Sequence, residues 1–86
     1  MDYLASPYLK AQTAIASLKA AVYETLALAN GNGLRNVDIG KALGIYMGHV
    51  DHEGHISRTI LALMESEGTV QQDKTSKTWT LARHGD

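Results

Sequence analysis

One stretch, residues 8–29, constrains the fold most, because it contains neither glycine nor proline and is rich in alanine. Its large apolar residues recur at the spacing of one helical face: Ile15, Leu18, Val22 and Leu26. A start signal precedes the stretch at Ser6 and Pro7, and an Asn-Gly stop signal follows it at residues 30–31. The sequence therefore predicts a helix of roughly 20 residues, which is long for a small domain.

Two shorter helices are predicted downstream, after a short extended segment at residues 34–35. The first begins at Asn36, its expected N-cap, carries Asp38 in its first turn and ends at Gly44. The second ends at Gly68, and Asp51 is its candidate N-cap if the helix begins there. Its inward face is predicted from the i, i+4, i+7, i+8 pattern of apolar residues: Ile56, Ile60, Leu63 and Met64.

The carboxyl-terminal part of the chain changes period and predicts a β-hairpin. Residues 69–72 and 78–81 are rich in β-formers, and the polar residues 73–77 between them are typical of a hairpin tip. Val70, Trp79 and Leu81 are expected to share its buried face, with Trp79 in the core rather than on the surface.

Composition limits the class of protein. The 86 residues suffice for one small ordered domain, with 44% hydrophobic and 20% charged residues. The chain has no cysteine, which excludes disulfides and thiolate metal sites. We find no signal-peptide pattern and no apolar run of the ~20 residues that span a membrane, so a cytoplasmic protein without membrane contact is expected. A net charge of −1 provides no global positive field for nucleic acid.

The order helix, helix, helix, hairpin, together with two segments, resembles the winged helix-turn-helix family of bacterial and phage-type regulators. Residues 36–45 (NVDIGKALGI) resemble its positioning helix and turn, and residues 56–70 (ISRTILALMESEGTV) resemble its recognition helix and first wing strand. The resemblance covers about residues 18–81. It implies an α+β, mainly α fold, a three-helix winged helix-turn-helix with a C-terminal β-hairpin wing and an extended N-terminal helix. The connection at residues 46–54 is longer than the roughly 3–4-residue turn that usually joins such helices.

The resemblance implies binding of double-stranded DNA and regulation of transcription, with the third helix in the major groove. On a helical wheel Arg58 projects away from the predicted inward face, where its guanidinium is suited to pair with guanine. His55 and Ser57 stand on either shoulder, and we expect them to reach phosphates or base edges.

Three lysines complete the predicted DNA contacts. Lys74 and Lys77 lie at the hairpin tip, where an ammonium group reaches the DNA backbone, and Lys41 lies beside the positioning helix. The charge of the third-helix region opposes this interpretation, since residues 49–67 carry one arginine against four carboxylates. Protonation of the region's histidines would offset that charge, so DNA binding is expected to strengthen at mildly acidic pH.

Three histidines, His49, His52 and His55, lie three residues apart around the start of the third helix. They do not form the His-Glu-x-x-His zinc motif, whose histidines are separated by four residues. Two interpretations stay open, a metal site and a polar segment leading into the helix, and the spacing favours the second. The chain contains no nucleophile or phosphate-loop motif, so we expect neither an enzyme nor a cofactor or metal.

Residues 1–17 are predicted to be a helical extension, distinct from the winged-helix domain at residues 18–86. The extension combines exposed apolar residues with alanines that permit close helix packing. We therefore predict a homodimer through this helix, which would place two recognition helices on a palindromic site. One alternative is a longer helix that folds back on its own domain. Another is a winged helix used for protein–protein assembly without specific DNA binding, which the near-neutral charge permits.

Overall fold

Three helices precede a short antiparallel hairpin in the computed structural model, which describes residues 2–48 and 53–83. A 3-10 turn at Asp2–Leu4 leads into the helices α1 (Ala5–Leu28), α2 (Asn36–Ala42) and α3 (His55–Ser66), and the strands are β1 (Val70–Gln72) and β2 (Trp79–Leu81). The predicted α+β, mainly α fold with a C-terminal hairpin is confirmed. In the described residues, no helix is both long and apolar enough to cross a membrane.

Helix α1 begins three residues earlier than the sequence predicts. Its first turn contains Pro7, whose missing N–H is not needed there because the first amides of a helix have no intrahelical acceptor. The side chains of residues 3–14 are all exposed. This protruding part raises the radius of gyration to 14.3 Å, against about 12 Å for a compact chain of this length.

The predicted glycine stop signals lie at the ends of α2 and α3. Gly68 has φ +78°, and its amide donates to the Glu65 carbonyl at 3.0 Å while the Thr69 amide donates to the Met64 carbonyl at 2.9 Å. These two bonds satisfy carbonyls that the end of a helix leaves without partners. Gly44, with φ +71°, ends α2 in the same way.

The core lies where α1, α2 and α3 meet the hairpin. Its buried apolar residues come from every helix and both strands: Val22, Leu26, Ile39, Ile60, Leu61, Met64, Val70 and Trp79. Trp79 is in the core, as predicted. Leu34, in the extended segment before α2, exchanges two backbone hydrogen bonds with Trp79, at 3.0 and 2.7 Å. The hairpin is thereby fixed to the segment that leads into α2.

The predicted inward face of α3 was wrong in phase. Leu63 is 40% exposed, whereas Leu61 and Ser57 are fully buried. The buried face is therefore rotated by about 65° from the predicted one, at 100° per residue. Apolar periodicity selected Leu63 and passed over Ser57, but the Ser57 hydroxyl donates to the Gly54 carbonyl at 3.1 Å and so satisfies its buried hydrogen-bonding need.

The hairpin tip is ordered by Asp73. Its Oδ1 accepts hydrogen bonds from the amides of Thr75, at 2.8 Å, and Ser76, at 3.1 Å. The Ser76 and Thr75 amides favour the charged carboxylate and so hold the pKa of Asp73 below its ordinary value. Lys77 closes the tip with φ +64°, a left-handed conformation that costs roughly 1–2 kcal/mol for a residue with a Cβ.

Candidate nucleic-acid interface

The outward face of α3 carries no carboxylate, lysine or arginine, and apart from His55 its side chains are short. Because the buried face is rotated, the residues opposite it are all exposed: His55, Thr59, Ala62 and Ser66. Short polar groups and methyl groups of this kind suit close contact with base edges and thymine methyls. The acidic residues of the region do not lie on this line, which reduces the charge objection raised by the sequence.

Gly54, at the end of the connection between α2 and α3, is held by several hydrogen bonds. The Gly54 amide donates to the Met47 carbonyl at 3.0 Å. The Gly54 carbonyl accepts from the Asn36 Nδ2 at 3.0 Å, the Ser57 Oγ at 3.1 Å and the Arg58 amide at 3.0 Å. These bonds join the start of α3 to the first turn of α2 despite the long intervening segment.

Tyr46 fills the space between the same two helices. A Cβ built on Gly40 would lie 3.0 Å from the Tyr46 ring, and one built on Gly54 would lie 2.6 Å from it. The two glycines therefore leave room for the ring against α2 and against the start of α3. The Lys41 Nζ lies 5.6 Å from the ring centroid, within the range of a cation–π interaction.

A polar groove of 220 Å³ lies beside α3 and brings three cationic residues together. It is lined by residues from the α2 start, the connection, α3 and the hairpin: Arg35, Asn36, Tyr46, Arg58, Gln72 and Lys77. No carboxylate is among these residues. Arg58 donates a long hydrogen bond, 3.5 Å, to the Glu53 carbonyl. Such a groove is suited to an anionic group, because guanidinium and ammonium groups bind phosphate oxygens.

The acidic end of α3 is partly neutralised by lysines. The Lys19 Nζ lies 2.6 Å from the Glu67 carboxylate, and the Lys74 Nζ lies 3.5 Å from the Glu65 carboxylate. Lys74 also donates to the Gln72 side chain at 3.2 Å. Both ion pairs are solvent-accessible and hence weak, so Lys74 can exchange Glu65 for another anion at small cost.

Two sequence predictions for this region need correction. Ser57 was expected to reach phosphates or base edges, but it is fully buried and bonded to Gly54. Asn36 was expected to cap α2, but Arg35 occupies that position and the Asp38 carboxylate accepts its amide at 3.0 Å. Asn36 instead forms the first residue of α2 and bonds across to Gly54.

Only some of the other predicted contact residues lie together in the structure. Arg58 and Lys77 line the groove, Lys41 lies over the Tyr46 ring, and His55 is exposed at the first position of α3. Lys74 is turned toward Glu65. None of these positions tests DNA contact itself, which stays a prediction.

The proposed histidine metal site falls mostly outside the described residues, because these do not include His49 and His52. Among residues 2–48 and 53–83, no three histidine, aspartate or glutamate side chains come together as metal ligands. The suggestion that Asp51 caps α3 also falls outside the described residues. Gly54, with φ +84°, occupies the N-cap position.

In comparisons with known proteins, no family model, no curated protein and no solved structure matches this chain.

Sequence reasoning did not place Thr59 on the outward face of α3, because it assigned the wrong phase to the helix. It also did not predict that Arg35 lies beside Arg58 and Lys77. That arrangement depends on the long-range bridge between Leu34 and Trp79.

Proposed function

We propose that this protein is a DNA-binding, winged-helix transcriptional regulator that acts as a cytoplasmic homodimer. The observation that carries the proposal is the groove beside α3, where Arg35, Arg58 and Lys77 converge from three parts of the fold. The outward face of α3 is close to Arg58 in the sequence, since His55 precedes Arg58 and Thr59 follows it. In this arrangement the outward face of α3 contacts bases while the cations contact the backbone.

The cations set the strength of the proposed binding. Arg35, Arg58, Lys77 and Lys41 supply phosphate contacts, and Lys74 adds one if it leaves Glu65. Four to five contacts correspond to a slope of log affinity against log salt of about −4. Binding is then measurable at low salt and strongly reduced at physiological salt for the monomer. A dimer doubles the number of contacts and restores useful affinity.

The exposed amino-terminal half of α1 supports the homodimer in this proposal. Residues 3–14 are exposed throughout, and Tyr8 is 63% and Leu9 61% exposed. Large apolar side chains on a protruding helix favour a partner helix, and a second copy of the same chain gives a two-fold arrangement. Two α3 helices then approach two half-sites of one operator.

The test is selection from random duplex DNA at low salt, followed by fluorescence anisotropy on the selected sequence. Arg58→Gln should lower the affinity by roughly tenfold or more, because a lost base or phosphate contact costs about 1–3 kcal/mol. Arg83→Gln is the matched control: it removes the same charge, but Arg83 borders a different surface, beside Asn30 and Gln71. Equal affinities of the two variants, or no binding by the wild type, would refute the proposal.

A second candidate function is protein–protein assembly through the same helix. Leu63 and Met47 are 40% and 49% exposed, so an apolar surface is available near α3. If this function applies, the selection yields no enriched DNA sequence, and Leu63→Ser weakens capture of a protein partner while Arg58→Gln leaves it unchanged.

A further inference from the structure

Helix α1 carries a second apolar line that does not face its own core. With Ala16 at 0° and 100° per residue, the buried residues Val22 and Leu26 lie near −100°. A separate line within about 40° of Ala16 runs the length of the helix. Its members are Ala5, Leu9, Gln12, Ala16, Ala20, Tyr23 and Ala27, all of them exposed.

An apolar groove opens along the carboxyl-terminal half of this line. Its volume is 510 Å³, and it lies between α1 and the end of α3. One wall belongs to α1, with Ala20, Tyr23 and Ala27 between the charged Lys19 and Glu24. The other wall consists of Met64, Glu67 and Thr69. Tyr23 is 49% exposed there. The Lys19–Glu67 ion pair spans the two walls at the surface, and the buried Met64 forms the floor beside them.

The amino-terminal half of the same helix carries side chains of the size that fills such a groove. Leu9 lies on the line itself. Tyr8 lies on a flank of α1, and in the carboxyl-terminal half of the helix α3 packs against that same flank. Leu9 and Tyr23 are equally distant from Ala16, seven residues on either side. A two-fold axis at Ala16 therefore brings Leu9 of one copy level with Tyr23 of the other.

We infer that two copies of this chain pair through antiparallel α1 helices crossing at Ala16, with Tyr8 and Leu9 of each copy seated in the α1–α3 groove of the other. This inference rests on the homodimer of the proposed function and specifies its surface. Ala16 then meets its own counterpart, and Ala5 meets Ala27, so small residues allow close approach along the whole line. Each copy contributes one pair of apolar side chains and one groove, so both grooves are filled.

The charges on α1 agree with this orientation. Lys10 and Glu24 lie on the same flank of the helix and have no ion-pair partner among the described residues. In an antiparallel pair equal flanks face each other, and Lys10 of one copy comes within about 3 Å, along the axis, of Glu24 of the other. Two intermolecular ion pairs result, whereas a parallel two-fold pair would bring opposite flanks together and would leave Lys10 and Glu24 about 21 Å apart along the axis.

Cysteine cross-linking tests the register, because the wild-type chain has no cysteine. Under mild oxidation at micromolar concentration, Ala16→Cys should form a disulfide-linked dimer much faster than the control Ala14→Cys, which is exposed but lies about 160° round the helix. Ala5→Cys alone should not cross-link, but an equimolar mixture of Ala5→Cys and Ala27→Cys should give the mixed dimer. Self-linking of Ala5→Cys would indicate a parallel pair and overturn the inference.

Sedimentation equilibrium tests the energetics with a matched pair of variants. Leu9→Gln should raise the dimer dissociation constant on the order of 100-fold, since the dimer loses two buried leucines. Leu28→Gln makes the same change at a leucine that is 79% exposed, lies about 100° round the helix from Leu9 and is beyond the end of the apolar line, so it should change the constant much less. Lys10→Glu should weaken the dimer and Lys10→Glu with Glu24→Lys should restore it.

The outcomes separate this inference from DNA binding. A wild type that stays monomeric, or Leu9→Gln and Leu28→Gln with equal constants, overturns the inference whatever the DNA selection gives. Cross-linking at Ala16 with no DNA binding leaves the dimer established and refutes the proposed function instead. Circular dichroism of each variant confirms that a loss of dimer is not a loss of helix.

Discussion

Replacing Gly54 by alanine is the sharpest single perturbation of the proposed interface, because Gly54 joins α2 to α3. The residue has φ +84°, and a Cβ there would lie 2.6 Å from the Tyr46 ring and 2.8 Å from the Asn36 Nδ2. Separations under about 3 Å do not occur for real Cβ contacts, so the ring or the start of α3 must move. Asn36 is in turn hydrogen-bonded to the Gly54 carbonyl and cannot withdraw without losing that bond.

The cost has two parts. The left-handed backbone costs roughly 1–2 kcal/mol for a residue with a Cβ. Overpacking against the Tyr46 ring adds about 1–3 kcal/mol. The smaller entropy of the unfolded alanine chain offsets about 0.4–1 kcal/mol. The free energy of unfolding should therefore fall by about 1–5 kcal/mol. A mid-range loss of about 3 kcal/mol lowers the melting temperature of a domain of this size by roughly 10–25 °C.

Comparing the free energies of unfolding of Gly54→Ala and Gly44→Ala in urea separates the steric cost at Gly54 from the backbone cost. Gly44 has a similar φ, +71°, but within the described part of the chain no atom beyond its neighbours in sequence lies within 4 Å of its Cβ position, so it reports the backbone cost alone. Adding Tyr46→Ala to Gly54→Ala should recover part of the loss, giving a coupling free energy of about 1 kcal/mol or more. Equal losses for the two glycine variants would refute the close packing of Tyr46 on Gly54.

Two further predictions concern Ser57 and the hairpin tip. Ser57→Ala removes the buried hydrogen bond to Gly54, and urea denaturation should show a free energy of unfolding lower by about 1 kcal/mol. DNA affinity should not change. A loss of affinity without a loss of stability would show that Ser57 contacts DNA after all. The folded-state pKa of Asp73 is lowered by the Ser76 and Thr75 amides, so its contribution to stability is complete above the ordinary carboxyl pKa and is lost as pH falls through the lower, folded value. Asp73→Asn should therefore show a smaller loss of stability on acidification below about pH 4 than the wild type, and parallel acid titrations would contradict this.

Sequence reasoning was most successful where one local rule determined the structure. The absence of helix breakers in residues 8–29 predicted α1, and Gly44 and Gly68 predicted the ends of α2 and α3. Trp79 was placed correctly because a large aromatic residue in a β-rich segment of a small domain has few other places to be buried.

The candidate site was harder to predict because long-range contacts decide it. The phase of α3 depends on the buried Ser57, whose acceptor is the Gly54 carbonyl of the preceding turn. Asparagine is a residue type typical of helix caps, but the Asn36 side chain instead donates a hydrogen bond to the Gly54 carbonyl at the start of α3. The groove of Arg35, Arg58 and Lys77 requires the bridge between Leu34 and Trp79, which no local pattern of the sequence contains.

The hydrogen bond from the Gly54 amide to the Met47 carbonyl has a consequence for which positions of this chain tolerate change. Asn36 bonds to the carbonyl of the same glycine, and the Tyr46 ring packs against its Cα. Contacts at a single backbone position therefore hold α3 against α2. A substitution at Asn36, Tyr46 or Gly54 should alter the orientation of α3, although none of the three lies on its outward face.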